Sequence, residues 1–436
     1  MIRIVLLLLL CSTKLLAQNI SWESLPALPE AISNNAVATA WVDDTTYVYT
    51  FAGIDESKDW FGIHLRAYRM NTNTGVWDTL PPLPDANGGK IAASASTVKN
   101  KIYIIGGYHV ASNYSETSSN KVHIYDPVAN IYQEDGASIP VPIDDQVQAV
   151  WRDSLIFVVT GWSNTGNVTN VQIYNPAEDV WQSGTPVPNS SNWKVFGANG
   201  MIIEDTIYYA GGARSTGNFP PTSFFRKGYI NPENPTEITW EGYEEPLAKN
   251  YRAGMGIYDG QGFWIGGSLD TYNFDGIAYN GSGGVAATSQ VLFYDPEYGT
   301  LRLIDGGFPE TMDMRSIAPI SDNEFILIGG MRSGQSVTDQ VIKVTMTNEV
   351  VNTNEPIESK KENIVVAPNP TSLTIQLSGS SFDRIQVVDL DGNIVLEKLN
   401  YKQNELDLIG MTSGMYLLKI WKNGNLIDTQ KVVLSK

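Results

Sequence analysis

Apolar positions along the chain fall in short runs that recur at a near-constant interval, each ending on a small residue and then glycine. The runs are Tyr47 to Gly53, Ile102 to Gly107, Leu155 to Gly161, Ile207 to Gly212, Phe263 to Gly267 and Phe325 to Gly330. Their last glycines are 54, 54, 51, 55 and 63 residues apart. Short runs rich in β-branched and aromatic side chains, bounded by glycine, predict strands. After most of them comes an alternating strand closed by Asp/Asn-Pro, as in Val122 to Pro127, Val171 to Pro176 and Val291 to Pro296. A Trp or its substitute then precedes a proline-rich turn, as in Trp77 to Pro84 and Trp181 to Pro188. A repeat of this kind predicts one small sheet per copy. The glycines let backbone pass close to a crowded axis, and the Asx-Pro pairs end strands in turns.

The sixth copy has its middle strands, Phe325 to Ile328 and Gln340 to Val350, but no closing Trp and Leu-Pro turn. That piece stands at the other end of the chain, in Trp22 to Pro29. An N-terminal strand completing the last sheet would close a ring with no exposed edge. Residues 353–363 are polar and charged and read as a linker. Beyond them the pattern changes to shorter strands at Leu373 to Leu377, Ile385 to Asp389, Ile394 to Glu397, Leu406 to Leu408, Gly414 to Ile420 and Lys431 to Leu434. Turns are expected at Asp391 to Asn393 and Asn423 to Asn425. Asp389, Asp391 and Asn393 lie between strands, so they read as a hairpin turn and not as a helix-flanked calcium loop.

Charge narrows the function classes. The 29 Lys and Arg against 47 Asp and Glu give a net charge of −18. Such a surface repels nucleic acid and anionic membrane alike. Arg3, the apolar run Ile4 to Leu10 and Ala17 before Gln18 form a signal peptide over residues 1–17, too short to be an integral membrane segment. The single cysteine, Cys11, lies within it, so the mature chain has neither disulfides nor a thiol nucleophile. The histidines, His64, His109 and His123, are scattered, so no metal site and no cofactor is expected.

The six glycine-terminated copies resemble the Kelch family, whose repeat of about fifty residues folds as one four-stranded blade. The resemblance covers roughly residues 20–352. It implies an all-β chain: a six-bladed Kelch β-propeller over residues 18–352, followed by a small Ig-like β-sandwich over residues 364–436. That tail, with Pro368 to Thr371, the Asp-x-x-Gly turn, Leu406-Asp407-Leu408, Gly414 to Leu418 and a basic end, is similar to the C-terminal sorting domain of type IX secretion. The likeness implies engagement with the type IX machinery and a secreted or cell-surface protein of a Bacteroidota-type bacterium.

Aligning the copies on their glycines places Asn35, Lys90, Gln146, Lys194, Arg252 and Arg315 in one column at the start of the inner strands. The loops after the glycines contribute His109, Trp162, Arg214 and Arg332. In the Kelch resemblance both sets border the central channel. They would form a cationic mouth whose guanidinium forks suit a carboxylate-bearing ligand. Asp144, Asp145 and Asp313 are the acidic neighbours that could pair with these cations. No nucleophile triad, phosphate loop or copper-radical cysteine is present. The leading reading is therefore a binding or interaction propeller for a glycan, another acidic ligand or a protein. One alternative is a sugar mutarotase, since the closing repeat Ile328 to Asp339 resembles that of the sialic acid mutarotases and mutarotation needs only a general acid and base. A structural adhesin is the other.

Overall fold

The computed structural model describes residues 16–350, 364, 366–378, 382–389, 394–422 and 425–435. The signal-peptide segment before Leu16, the linker at 353–363 and the turn residues 391–393 and 423–424 lie outside the described residues. The chain divides into two compact units, one spanning Leu16–Glu349 and the other including Val350–Lys436. Apart from two short 3-10 turns, Trp60–Gly62 and Pro246–Ala248, the described regular structure is entirely β.

In the larger unit the strands form six antiparallel four-stranded sheets arranged as propeller blades. The first is Ala36–Val42, Thr45–Ile54, Ile63–Asn71 and Trp77–Leu80, ordered as in the sequence. The sixth runs Ala318–Pro319, Glu324–Ile328, Val341–Val350, and its outer strand is Leu16–Leu25 from the start of the chain. The second blade carries an extra short strand, Glu116–Ser118, on its Lys101–Val110 strand.

A closed circuit of hydrogen bonds joins the inner ends of all six blades. Ala92 N donates to Asn34 Oδ1 at 2.9 Å. Asp145 N donates to Ala92 O, Gly197 N to Asp145 O, Arg252 N to Gly197 O, Met314 N to Arg252 O and Asn34 N to Asp313 O, at 2.8 to 3.2 Å. Asn34, Ala92, Asp145, Gly197, Arg252 and Asp313 all have φ between 47 and 66°, the left-handed turn that aims one blade's carbonyl at the next blade's N–H. At the outer rim, tryptophans clasp the preceding blade: Trp77 Nε1 donates to Pro26 O, Trp181 Nε1 to Ala137 O and Trp240 Nε1 to Thr185 O, at 2.7 to 3.0 Å. The Asx-Pro pairs close their strands as turns, with Asp126, Asn175 and Asp295 Oδ1 accepting backbone N–H groups two residues on. Gly107, at φ 84°, has no room for a side chain, because a Cβ there would lie 2.7 Å from Ile91 O.

The smaller unit packs a three-stranded sheet with a four-stranded one, an Ig-like sandwich. Leu406 and Leu408 face its core while Asp407 points out, so the Leu-Asp-Leu triplet is one turn of strand alternation. The Pro-Asn-Pro-Thr opening is tied to the final strand: Asn369 Oδ1 accepts from Val433 N at 2.8 Å, and Thr371 N donates to Val433 O at 2.9 Å.

Asn34 is the one ring position whose link runs through a side chain. Asn34→Ala strands the buried Ala92 N–H and leaves alanine in a left-handed conformation. The expected loss is about 1–3 kcal/mol, measured by denaturant unfolding.

Candidate functional site

The face reached by the loops after the glycine pairs holds a cavity of about 190 Å³ at one side of the channel mouth. Four aromatic rings frame it. Trp162 meets Phe196 and Phe219 edge-on at 5.6 and 5.5 Å, and Tyr279 lies 4.9 Å from Phe219 and 6.0 Å from Phe196. Glu116, Asp144, Asp145 and Arg252 supply the charged wall, with Tyr108 and Asn273 beside them. Asp144 and Trp162 are locked together by two backbone hydrogen bonds of 2.9 Å, one in each direction. Ser118 Oγ donates to Asp144 Oδ2 at 2.6 Å, and Asn164 N donates to Ser118 Oγ at 2.9 Å.

The hairpin that extends the Lys101–Val110 strand of the second blade forms one wall. Its register sets Tyr108 opposite Ser118, His109 opposite Thr117 and Val110 opposite Glu116. Strand alternation turns Tyr108 and Glu116 into the aromatic cavity, and His109 and Thr117 into a neighbouring polar depression of about 520 Å³.

Burial pushes the Asp144 carboxyl well above the usual carboxylate range, and neighbouring Asp145 adds to the effect. Glu116 stands at the mouth with part of its surface in solvent. Desolvation of its carboxyl raises its pKa, Arg252 opposes the rise and Asp145 reinforces it. The cavity thus pairs two carboxyls that hold their protons to higher pH than a free carboxylate.

The predicted cations do not share one level. Arg252 occupies a ring position, whereas Lys90 lies two residues before its ring residue Ala92, Lys194 three before Gly197, and Arg315 two after Asp313. The ring residue stands 15 residues before the second glycine in the second, fourth and fifth blades, whereas Lys90, Lys194 and Arg252 stand 17, 18 and 15 before it, so the basic column does not keep one register. Arg252 and Arg315 are each only 1% exposed. Arg252 Nη2 meets Asp145 Oδ2 at 2.6 Å and Nη1 meets Asp313 Oδ1 at 2.9 Å, while Arg315 Nη1 meets Asp145 Oδ1 at 2.8 Å. Lys90 is fully buried, 2.6 Å from Asp85 and within hydrogen-bond reach of Ser119 and His123. Arg214 bonds Thr222 Oγ1 at 3.2 Å and lies 3.7 Å from Glu244. Arg332 is spent on Glu310 O, Thr311 Oγ1 and Gln340 Oε1. Lys194 is half-buried in the turn before Val195, and its carbonyl accepts from Asn167 Nδ2. Of the sequence candidates, Trp162 and Arg252 line the cavity, and His109 stands across the hairpin wall with its Nδ1 2.9 Å from Gly89 O.

Residues 92–134 match the Kelch motif, and residues 365–435 match the secretion system C-terminal sorting domain. A solved structure titled "Structure of YjhT" superposes with a TM-score of 0.55 at 16% identity, covering 74% of this chain and 99% of that one. The chain is a Kelch-repeat propeller with a secretion sorting domain. Among curated relatives, beta-scruin of Limulus polyphemus is 25% identical over 175 residues, 39% of this chain and 18% of that protein. Kelch repeat and BTB domain-containing protein 12 of Homo sapiens is 28% identical over 182 residues, 38% of this chain and 28% of that protein. The chain spans 18 to 30% of the length of such relatives. These likenesses establish the Kelch fold and leave the site to its own geometry.

Sequence reasoning missed Glu116, Phe219 and Tyr279 of the Kelch propeller's cavity, all carried on loops that follow the glycine pairs. The available signal was length: the stretches from Gly107 to Val122 and from Gly267 to Gln290 exceed what a tight connection needs.

A folded-state pKa above the unfolded one makes an acid a source of instability as pH rises through the interval between the two. Asp144→Asn removes that loss, since an amide oxygen still accepts from Ser118. Relative to the unsubstituted protein, this variant gains stability progressively from pH 4 to pH 8 and differs little at pH 4, as read by thermal unfolding across that range.

Proposed function

We propose that this protein is an exported carbohydrate-binding Kelch propeller whose aromatic cavity takes a neutral sugar. Residues 1–17 act as the leader and residues 364–436 as the type IX sorting address, which delivers the propeller to the exterior of a Bacteroidota-type cell. The observation that carries the binding reading is the juxtaposition of the Trp162, Phe196, Phe219 and Tyr279 rings with the Glu116, Asp144 and Asp145 carboxyls in one cavity. Aromatic rings accept the apolar faces of a pyranose, and carboxyl groups orient its hydroxyls by hydrogen bonds. An acidic sugar is disfavoured. Arg252 and Arg315 already serve Asp145 and Asp313, and a ligand carboxylate would enter beside three carboxyl groups.

A thermal-shift panel of neutral and acidic monosaccharides on the full chain tests this reading. Ligand at a hundred times its Kd stabilises by about 2.7 kcal/mol and raises Tm. Neutral sugars are expected to raise Tm, and Trp162→Ala to weaken them tenfold or more. A response confined to acidic sugars, or none, rejects the proposal.

A second reading rests on the raised carboxyls. Asp144 and Glu116 line one cavity, and a pair of carboxyls that hold their protons is what ring opening at an anomeric centre requires. Under it the protein is a sugar mutarotase. Anomer exchange followed by NMR should then be accelerated, and Glu116→Gln should abolish the acceleration while retaining sugar binding. No acceleration by the unsubstituted protein leaves binding as the function.

A further inference from the structure

The opposite end of the channel holds a second and larger cavity, of about 680 Å³, within the range of small-molecule sites. It lies where the inner strands end, at the hairpins that lead into the glycine-terminated strands. Its walls are apolar: Val150, Met201, Met255, Ile257 and Ile317 line it, and Ile257 is 41% exposed. Methionines let such a wall adapt to the shape of what enters.

Gln148 and Ser96, the polar groups at its floor, are bonded within the protein. Arg315 Nη2 donates to Gln146 O at 2.9 Å and Ser94 Oγ at 3.3 Å. Gln146 Nε2 donates to Gln148 Oε1 at 3.2 Å, and Gln148 Nε2 donates to Ser96 Oγ at 2.8 Å. This chain of bonds satisfies the amide of Gln148 at the floor, while Gln146 Oε1 and Arg315 Nε, outside the cavity lining, have no hydrogen-bond partner among the described residues. The rim differs: Asp259 and Asp322 are exposed there, and neither has a cation within 4.0 Å among the described residues. Asp259 accepts one hydrogen bond from Asn348. An apolar well with the Gln148 amide bonded at its floor and two carboxylates without a cation at its lip complements one chemistry.

We propose that this cavity binds a small amphiphilic cation, an apolar chain or ring carrying one ammonium group, with the apolar end inward and the ammonium at Asp259 and Asp322. The site is separate from the aromatic cavity and does not rest on the sugar reading.

Calorimetry of the full chain at low salt with octylammonium, octyl sulfate and 1-octanol tests it. Octylammonium should bind at least tenfold more tightly than 1-octanol, and octyl sulfate more weakly than either. The advantage of the cation should shrink with added salt. Asp259→Asn with Asp322→Asn, surface changes that leave the walls intact, should erase the preference while 1-octanol binds as before. Ile257→Asp should weaken 1-octanol severalfold. Equal binding of the three probes, no binding of octylammonium, or an unchanged preference in the double variant would overturn the proposal. So would loss of octylammonium binding in Trp162→Ala, which would place the cation in the aromatic cavity.

Discussion

Six left-handed residues, one per blade, hold the propeller together at its axis. An antiparallel sheet saturates its own ladder, so two blades side by side have no backbone reason to stay in register. The turn before each inner strand supplies one: a positive φ turns its carbonyl, or at Asn34 its side-chain amide oxygen, out of its own sheet and toward the next blade's N–H. For a residue with a side chain this conformation costs about 1–2 kcal/mol, and five of the six ring residues are not glycine. The circuit persists because every link is buried and closes on the next. Other left-handed positions follow the same logic. Thr160 replaces the first glycine of its pair at φ 47°, and its hydroxyl is fixed between Val168 O and Val195 O.

Asp145 shows how this scaffold constrains the chemistry at the mouth. Its carbonyl serves Gly197 in the ring, and its two carboxylate oxygens receive Arg252 and Arg315. Asp313 accepts from Arg252, Ser33 and Asn34. Two guanidinium groups are thereby taken out of solvent against two carboxylates. Each single loss would leave an uncompensated buried charge, which makes the cluster a structural lock. What it leaves facing the cavity are the carboxyls it does not neutralise, Asp144 and Glu116. An acidic chain with a basic sequence column thus presents a carboxyl-lined pocket whose guanidinium groups are already paired.

The repeat was legible because its marks are local: a glycine where no Cβ fits, an Asx before proline, a tryptophan before a Leu-Pro turn. Each has a contact that explains it, from Gly107 against Ile91 O to Trp181 on Ala137 O. Positions such as Lys90, Lys194 and Arg315 were not legible as a set, because no residue type marks which position takes the left-handed turn: it is Asn34, Ala92, Asp145, Gly197, Arg252 and Asp313 in the six blades. Phe219, Tyr279 and Glu116 escaped for the opposite reason. They sit on insertions with no repeat to align, and their convergence depends on which loops lie side by side around the ring.

That division of labour explains how one channel can end in two different environments. The polar chain from Arg315 through Gln146 and Gln148 to Ser96 lies between two cavities that share no lining residue, so each cavity is governed by its own walls. At the loop face those walls come from insertions of variable length, which the ring does not constrain. At the hairpin face they come from single residues of the inner strands, such as Val150, Met255 and Ile257, which are paired into their own blades. Ligand choice at the first end can therefore change by exchanging a loop. At the second it changes by substitution within a strand, where core packing limits what is tolerated.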